Sequence, residues 1–180
     1  MQHEPEWERL STLDDGELQM GLLNWLDDAM RGHDGAEEDA MLAGLRPPLN
    51  VMFLLNWLEF EVLQGSFLAY FANSHGRHAA LAAQALRTIG ATETASVLDR
   101  ARGVFEANSD PWHARQEEMN QLEEFSVVTP YAGLPGVHAL SDLTDEYWEA
   151  QRRDRFSELF DDYFRGSVNQ LAVPDSSNRS

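Results

Sequence analysis

Apolar residues recur at three- and four-residue intervals along most of this chain, and strict two-residue alternation is scarce. That period predicts helices throughout. Between Asp14 and Arg31, the residues Leu18, Leu22, Trp25, Leu26 and Ala29 share one face, with Asp14, Glu17, Asn24 and Asp28 roughly opposite. Asp14 and Asp15 suit the positive N-terminal end of such a helix. Residues 32–36 read as a loop, followed by the acid cluster Glu37, Glu38 and Asp39. Pro47 and Pro48 mark a boundary, Pro48 being suited to a first helical turn. The helix after them, through Val51, Phe53, Leu54, Leu55, Trp57, Leu58, Phe60, Val62 and Leu63, is apolar almost all round, as a central core helix is. Gly65 ends or bends it, and residues 67–71 continue as a short helix.

The Ala-rich run from Ala79 to Ile89 predicts another helix, closed by Gly90 as a left-handed cap. Ala91, Ala95, Leu98 and Phe105 form the next apolar stripe. A further helix is expected from Asp110 and Pro111 to about Phe125. Residues 127–140 hold Pro130, Gly133, Pro135 and Gly136 and read as the longest loop. Residues 142–152 are helical and acidic. In residues 154–165 the faces separate, with Phe156, Leu159, Phe160, Tyr163 and Phe164 on one side and Asp154, Glu158, Asp161, Asp162 and Arg165 on the other. Residues 174–180 form a polar tail that is expected to be disordered. The expectation is an all-α fold, a compact multi-helix bundle with acidic outer helices. It spans residues 1–173 as one domain, a usual size for a single core.

Charge changes this picture most. The 180 residues carry 31 acids against 13 basic residues, a net of −18, and every basic residue is arginine. Residues 1–40 hold 12 acids and 2 arginines (net −10), residues 41–110 hold 6 and 5 (net −1), and residues 111–180 hold 13 and 6 (net −7). A near-neutral apolar centre is therefore flanked by acidic segments. Such a field repels nucleic acid and anionic membranes and attracts basic protein surfaces. Direct DNA or RNA binding, which needs a cationic footprint, is not expected.

Chemistry-bearing motifs are few. There is no cysteine, which excludes disulfides, thiolate metal sites and cysteine nucleophiles. No phosphate loop, nucleophile elbow or Gly-rich cofactor turn occurs. His75 and His78 lack an assured third ligand, so no metal is expected. Glu59 and Glu61 could form a carboxylate pair, yet two residues apart on a helix they point in different directions. A buried, satisfied contact for Glu61 fits better. Trp112 and Trp148 stand beside acidic helices as candidate exposed anchors for a partner. No enzyme activity and no cofactor are expected. Residues 49–63, interrupted by Asn50, Asn56, Glu59 and Glu61, are too short and polar to span a bilayer. The first residues show no basic run leading into an apolar stretch, so no signal peptide is expected. A cytoplasmic location and no membrane partner are expected.

Glu61-Val62-Leu63-Gln64-Gly65-Ser66-Phe67, followed by Tyr70-Phe71-Ala72-Asn73-Ser74, resembles a signature written E-V-N-N-G-G-F and then Q-F-F-x-N. Ala85-Leu86-Arg87-Thr88-Ile89-Gly90-Ala91 with Thr94-Ala95 resembles A-L-x-x-I-G-A-x-x-T-A. Both belong to the bacterial helical family that includes the DNA-mimic protein (DMP) type. The match is specific over about residues 50–107 and looser over residues 141–171, giving a family-like core of about 50–171. Leu63 and Gln64 stand where asparagine is usual and Ser66 where a second glycine is usual, so the turn at Gly65 is expected to differ in detail.

The resemblance implies a compact all-α protein, able to form a homodimer, whose acidic surface occupies the DNA-binding face of a regulator such as one of helix-turn-helix type. Duplex DNA presents about one negative charge per 1.7 Å of axis. Carboxylates three or four residues apart on a helix stand roughly 5–6 Å apart at their Cβ atoms. The candidate partner-binding residues are Asp14, Glu17 and Asp28, then Glu37, Glu38 and Asp39, then Glu117, Glu118, Glu123 and Glu124, and then Glu158, Asp161 and Asp162. Two rival readings remain: an immunity-type protein that neutralises a basic toxin, and an acidic helical domain whose charge serves solubility without mimicry.

Overall fold

A computed structural model describes residues 4–33, 35–120, 131 and 133–172, and every regular element among them is helical. The helices are α1 (Trp7–Leu10), α2 (Asp15–Met30), α3 (Gly35–Gly44), α4 (Leu49–Ala72), α5 (Ala79–Ile89), α6 (Thr92–Glu106), α7 (Ser109–Asn120), α8 (Val137–Asp154) and α9 (Phe156–Ala172), with a 3-10 turn at Ser74–His78. The all-α expectation holds. The tail at 174–180 and the expected end of α7 near Phe125 lie outside the described residues.

Local chemistry explains most boundaries. Asp14 caps α2 through a capping box: its Oδ1 accepts the Glu17 N–H at 2.9 Å, and Glu17 Oε2 accepts the Asp14 N–H at 3.4 Å. Pro48 sits just ahead of α4, its carbonyl accepting the Met52 N–H at 2.9 Å. Gly90 takes φ 95°, the left-handed cap predicted for α5. Two segments read as loop are partly helix. Gly35 and Ala36, the end of the stretch read as loop, open α3, which also holds the acid cluster Glu37–Asp39. The Pro- and Gly-rich stretch ends early because α8 starts at Val137, straight after Gly136 at φ 84°.

α4 breaks where Gly65 was expected to bend it. Gly65 (φ −163°, ψ 25°) and Ser66 (φ 68°, ψ −174°) leave helical geometry. A Cβ on Gly65 would lie 2.7 Å from the Ala69 Cβ. Past the break the Phe67 N–H donates to Thr144 Oγ1 at 3.1 Å, and Thr144 Oγ1 donates to the Leu140 carbonyl at 2.8 Å. By length and composition α4, at 24 residues, could cross a membrane, whereas half of its most apolar stretch is buried inside the protein as in a core helix.

The helices pack as two compact units, residues 1–54 with 156–180, and residues 55–155. In the first, α1 and α2 pack on α9, burying Trp7, Leu10, Leu18, Leu22, Leu26, Phe164 and Val168. In the second, α6 packs against both α5 and α8, around Leu86, Leu98, Leu140 and Tyr147. An aromatic series runs through this unit: Tyr147 meets Phe67 edge-on, Phe71 stacks on Phe105 at 4.9 Å, and Trp112 touches Phe105 and stacks on Tyr131 at 5.1 Å. Asp154 supplies the cap that α6 lacks, accepting the Thr94 N–H and hydroxyl, both at 2.8 Å.

Trp112 is thus not an exposed anchor. It is 2% exposed, and its Nε1–H donates to the Pro135 carbonyl at 3.0 Å. Trp148 is half-buried.

Candidate acidic binding surface

In the first unit the start of α2 meets α9 through polar contacts. Arg165 on α9 donates from Nε (2.8 Å) and Nη2 (2.5 Å) to Asp15 Oδ1, and Gln19 on α2 donates to Asp161 Oδ1. Asp161 is half-buried. Burial pushes its carboxyl above the usual range, and the negative charges of Asp15 and Asp162 push it further; the Gln19 hydrogen bond opposes them. Asp15 and Asp162 thus both act on Asp161, with Asp14 and Glu17 adjoining at the start of α2.

The other sequence-predicted residues divide. Asp28 lies near the far end of α2, about 20 Å along the helix from Asp14 at 1.5 Å per residue. It is bonded to Arg31 at 2.9 Å, so it does not join the cluster. Glu37 is exposed and faces His33 Nδ1 at 3.3 Å, and Asp39 is exposed. Glu38 is 8% exposed. Its burial takes it out of the exposed acid cluster expected from the sequence, since successive residues of a helix point in different directions and Glu38 faces inward where Glu37 and Asp39 do not. On α7, Glu117 and Glu118 are both exposed, and Glu118 pairs with Arg115 at 3.3 Å. Glu117 makes no ion pair or hydrogen bond among the described residues, and neither does Asp162. Glu158 is exposed on α9. Glu123 and Glu124 lie outside the described residues.

Periodicity missed Asp15 as the residue that joins the two helices. It stood beside the N-cap as a dipole partner, and its guanidinium partner is 150 positions away. No local pattern carries such a pairing.

The carboxylates of α4 have separate surroundings, as their two-residue spacing implied. Glu59 Oε1 accepts from the Tyr147 hydroxyl and from Gln151 Nε2 at 2.5 Å. Burial raises its carboxyl above the ordinary value, against the pull of these two hydrogen bonds. Burial likewise raises the Tyr147 phenol, helped by the Glu59 charge. Glu61 is 4% exposed, and its charge adds to the burial that raises the Tyr70 phenol. Glu59 thus bonds into the interior of residues 55–155. His78 is buried, and the His75 side chain lies outside the described set.

A family model for the DMP19-like protein matches residues 43–167, and the chain belongs to that family. No curated protein and no solved structure matches it. The matched span contains Glu117, Glu118, Glu158, Asp161 and Asp162. The acids at positions 14–39 precede it.

Proposed function

We propose that this DMP19-like protein binds a basic DNA-binding protein, such as a helix-turn-helix regulator, and blocks its DNA site with carboxylates in place of phosphate oxygens. The observation that carries this reading is the acid group Asp15, Asp161 and Asp162 at the contact of α2 with α9. There Arg165 and Gln19 hold Asp15 and Asp161, and burial first, then the neighbouring charges, raise the Asp161 carboxyl. Like charges repel, and a chain that used acids only for solubility has no reason to hold them together on two helices. Here Gln19, Arg165 and the capping box keep them in place. A basic recognition surface relieves that repulsion, as it does the repulsion between phosphates. The protein acts as a binder in the cytoplasm, without catalysis, cofactor or direct contact with nucleic acid. Family membership supports the same reading.

The test is competition. Tagged protein captures a regulator from cell extract, and the purified regulator is then offered its operator duplex. The duplex and this protein are expected to exclude one another, with binding weakening as salt rises. Glu117→Arg with Asp162→Arg, two acids with no internal partner to disturb, is expected to weaken the complex at least tenfold. A ternary complex of regulator, duplex and this protein would overturn the reading. So would capture of a toxin that is neutralised with no DNA site involved.

A further inference from the structure

An open groove of about 720 Å³ runs between α6 and α8 in the second unit, a volume typical of ligand clefts. Gly103, Val104 and Leu143 give it an apolar lining, and Asp142, Glu146 and Arg100 bring charge to it. Arg100 is already bonded to Glu146. Asp142 is exposed and has no ion pair or hydrogen bond among the described residues. Glu146 is matched by Arg100 and also feels the Arg153 charge, so Asp142 is the carboxylate of this groove with no cation beside it. Gly103 is the second clue. Glycine is a poor helix former, and a Cβ at this position would meet nothing within 4 Å. No packing or left-handed φ demands glycine there; what its missing side chain does is keep the groove open.

Resting on the binding function proposed above, we propose that this groove receives an arginine side chain of the basic partner. The methylene stem lies over Val104 and Leu143, and the guanidinium engages Asp142 beside the Arg100–Glu146 pair. Arginine fits better than lysine because its planar, weakly hydrated head forks to carboxylates while its stem covers apolar surface. An anionic ligand would face two carboxylates, and an apolar one would leave Asp142 unmatched. An arginine seated in a pocket is also the kind of contact that concentrates binding energy at protein interfaces.

The probe is the peptide acetyl-Ala-Arg-Ala-amide, titrated into the isotope-labelled full chain while the amide resonances of Gly103, Ala107, Gly136 and Ala139 are followed. They are expected to shift and saturate, with the lysine peptide binding at least threefold more weakly. Gly103→Leu fills the groove with a better helix former and is expected to keep the circular dichroism of the parent with a Tm no lower than the parent's. Gly103→Leu and Asp142→Asn should each weaken the arginine peptide at least threefold. Equal affinity in the parent and both variants would overturn the inference, as would shifts confined to α2 and α9 around Asp15 and Asp162. The captured regulator separates the two claims. If it binds the parent and Gly103→Leu equally, the groove assignment fails and the proposed function stands. If no DNA-binding protein is captured, that function fails, whatever the peptide does.

Discussion

Replacing Ser66 by glycine should stabilise this protein, although it removes a hydrogen bond. Ser66 has φ 68° and ψ −174°, a backbone region that is essentially reserved for glycine and costs other residues of order 1–3 kcal/mol. Against that relief stand two losses. Ser66 Oγ accepts the Leu68 N–H at 3.3 Å, a cap for the second half of α4; exchanging such a cap for glycine costs a few tenths of a kcal/mol. Glycine also has more freedom to lose on folding, roughly 0.5–1 kcal/mol. With strain near 2 kcal/mol the balance is a gain of about 1 kcal/mol, equivalent to about 2–4 °C in Tm for a chain of this size. Ser66→Ala is the control. It keeps the Cβ that causes the strain and loses the cap, so it should be destabilised by about 0.5–2 kcal/mol. Urea unfolding followed by tryptophan fluorescence measures both variants. If Ser66→Gly were less stable than the parent by 1 kcal/mol, or if Ser66→Ala matched it, the strain argument would be wrong.

Glu59 makes stability depend on pH in a definite direction. Its carboxyl lies above 4.5 in the folded protein, so just above that pH the folded state holds a proton that the unfolded state has released. That contribution is complete below the unfolded value and is lost as pH rises through the folded one. Glu59→Gln should therefore lose less stability than the parent as pH rises from 4.5 in urea titrations, and a larger loss would contradict the burial argument. Asp154→Ala removes the acceptor for three donors at the start of α6, the Thr94 N–H and hydroxyl and the Glu93 N–H at 3.4 Å. It should cost about 1–2 kcal/mol in thermal unfolding, and an unchanged Tm would show that Asp154 is dispensable there.

What could be read in advance was local. Helical period, the Gly90 cap, the Asp14 N-terminus and the break at Gly65 each depend on residues a few positions apart, and each is present. The start of α8 was hidden because Pro135 and Gly136 read as loop punctuation, whereas the left-handed Gly136 opens the helix. α3 was hidden for a different reason: it starts at Gly35, inside the stretch 32–36 read as loop, and the acids after it were given no element although the N-terminal dipole favours them in a first turn. Residues that meet across the chain were not legible at all. Asp15 with Arg165, Glu59 with Tyr147 and Asp154 with Thr94 are brought together by packing between helices. Glu38 and Trp112 failed for the same reason, since type and period suggest a face but only packing decides what covers it.

The arginines explain which acids remain unpaired. With no lysine present, Arg31, Arg46, Arg87, Arg100, Arg102, Arg115, Arg152, Arg153 and Arg165 each pair with a carboxylate. Near the N-terminus, Glu4 and Glu6 meet arginines, as do Asp15, Asp27 and Asp28. Asp14 and Glu17 spend themselves on the cap, and Glu37 faces His33. A partner cation reaching these acids must displace or share an existing interaction, so the segment with the densest charge is not the one with the most charge to offer. Asp110, Glu117, Asp142, Asp145 and Asp162 have no such partner among the described residues, and all five lie within the family-matched span. This inverts the order that charge density suggests. Acids of residues 1–40 are mostly engaged within the chain, whereas Asp110, Glu117, Asp142, Asp145 and Asp162 stay unpaired among the described residues.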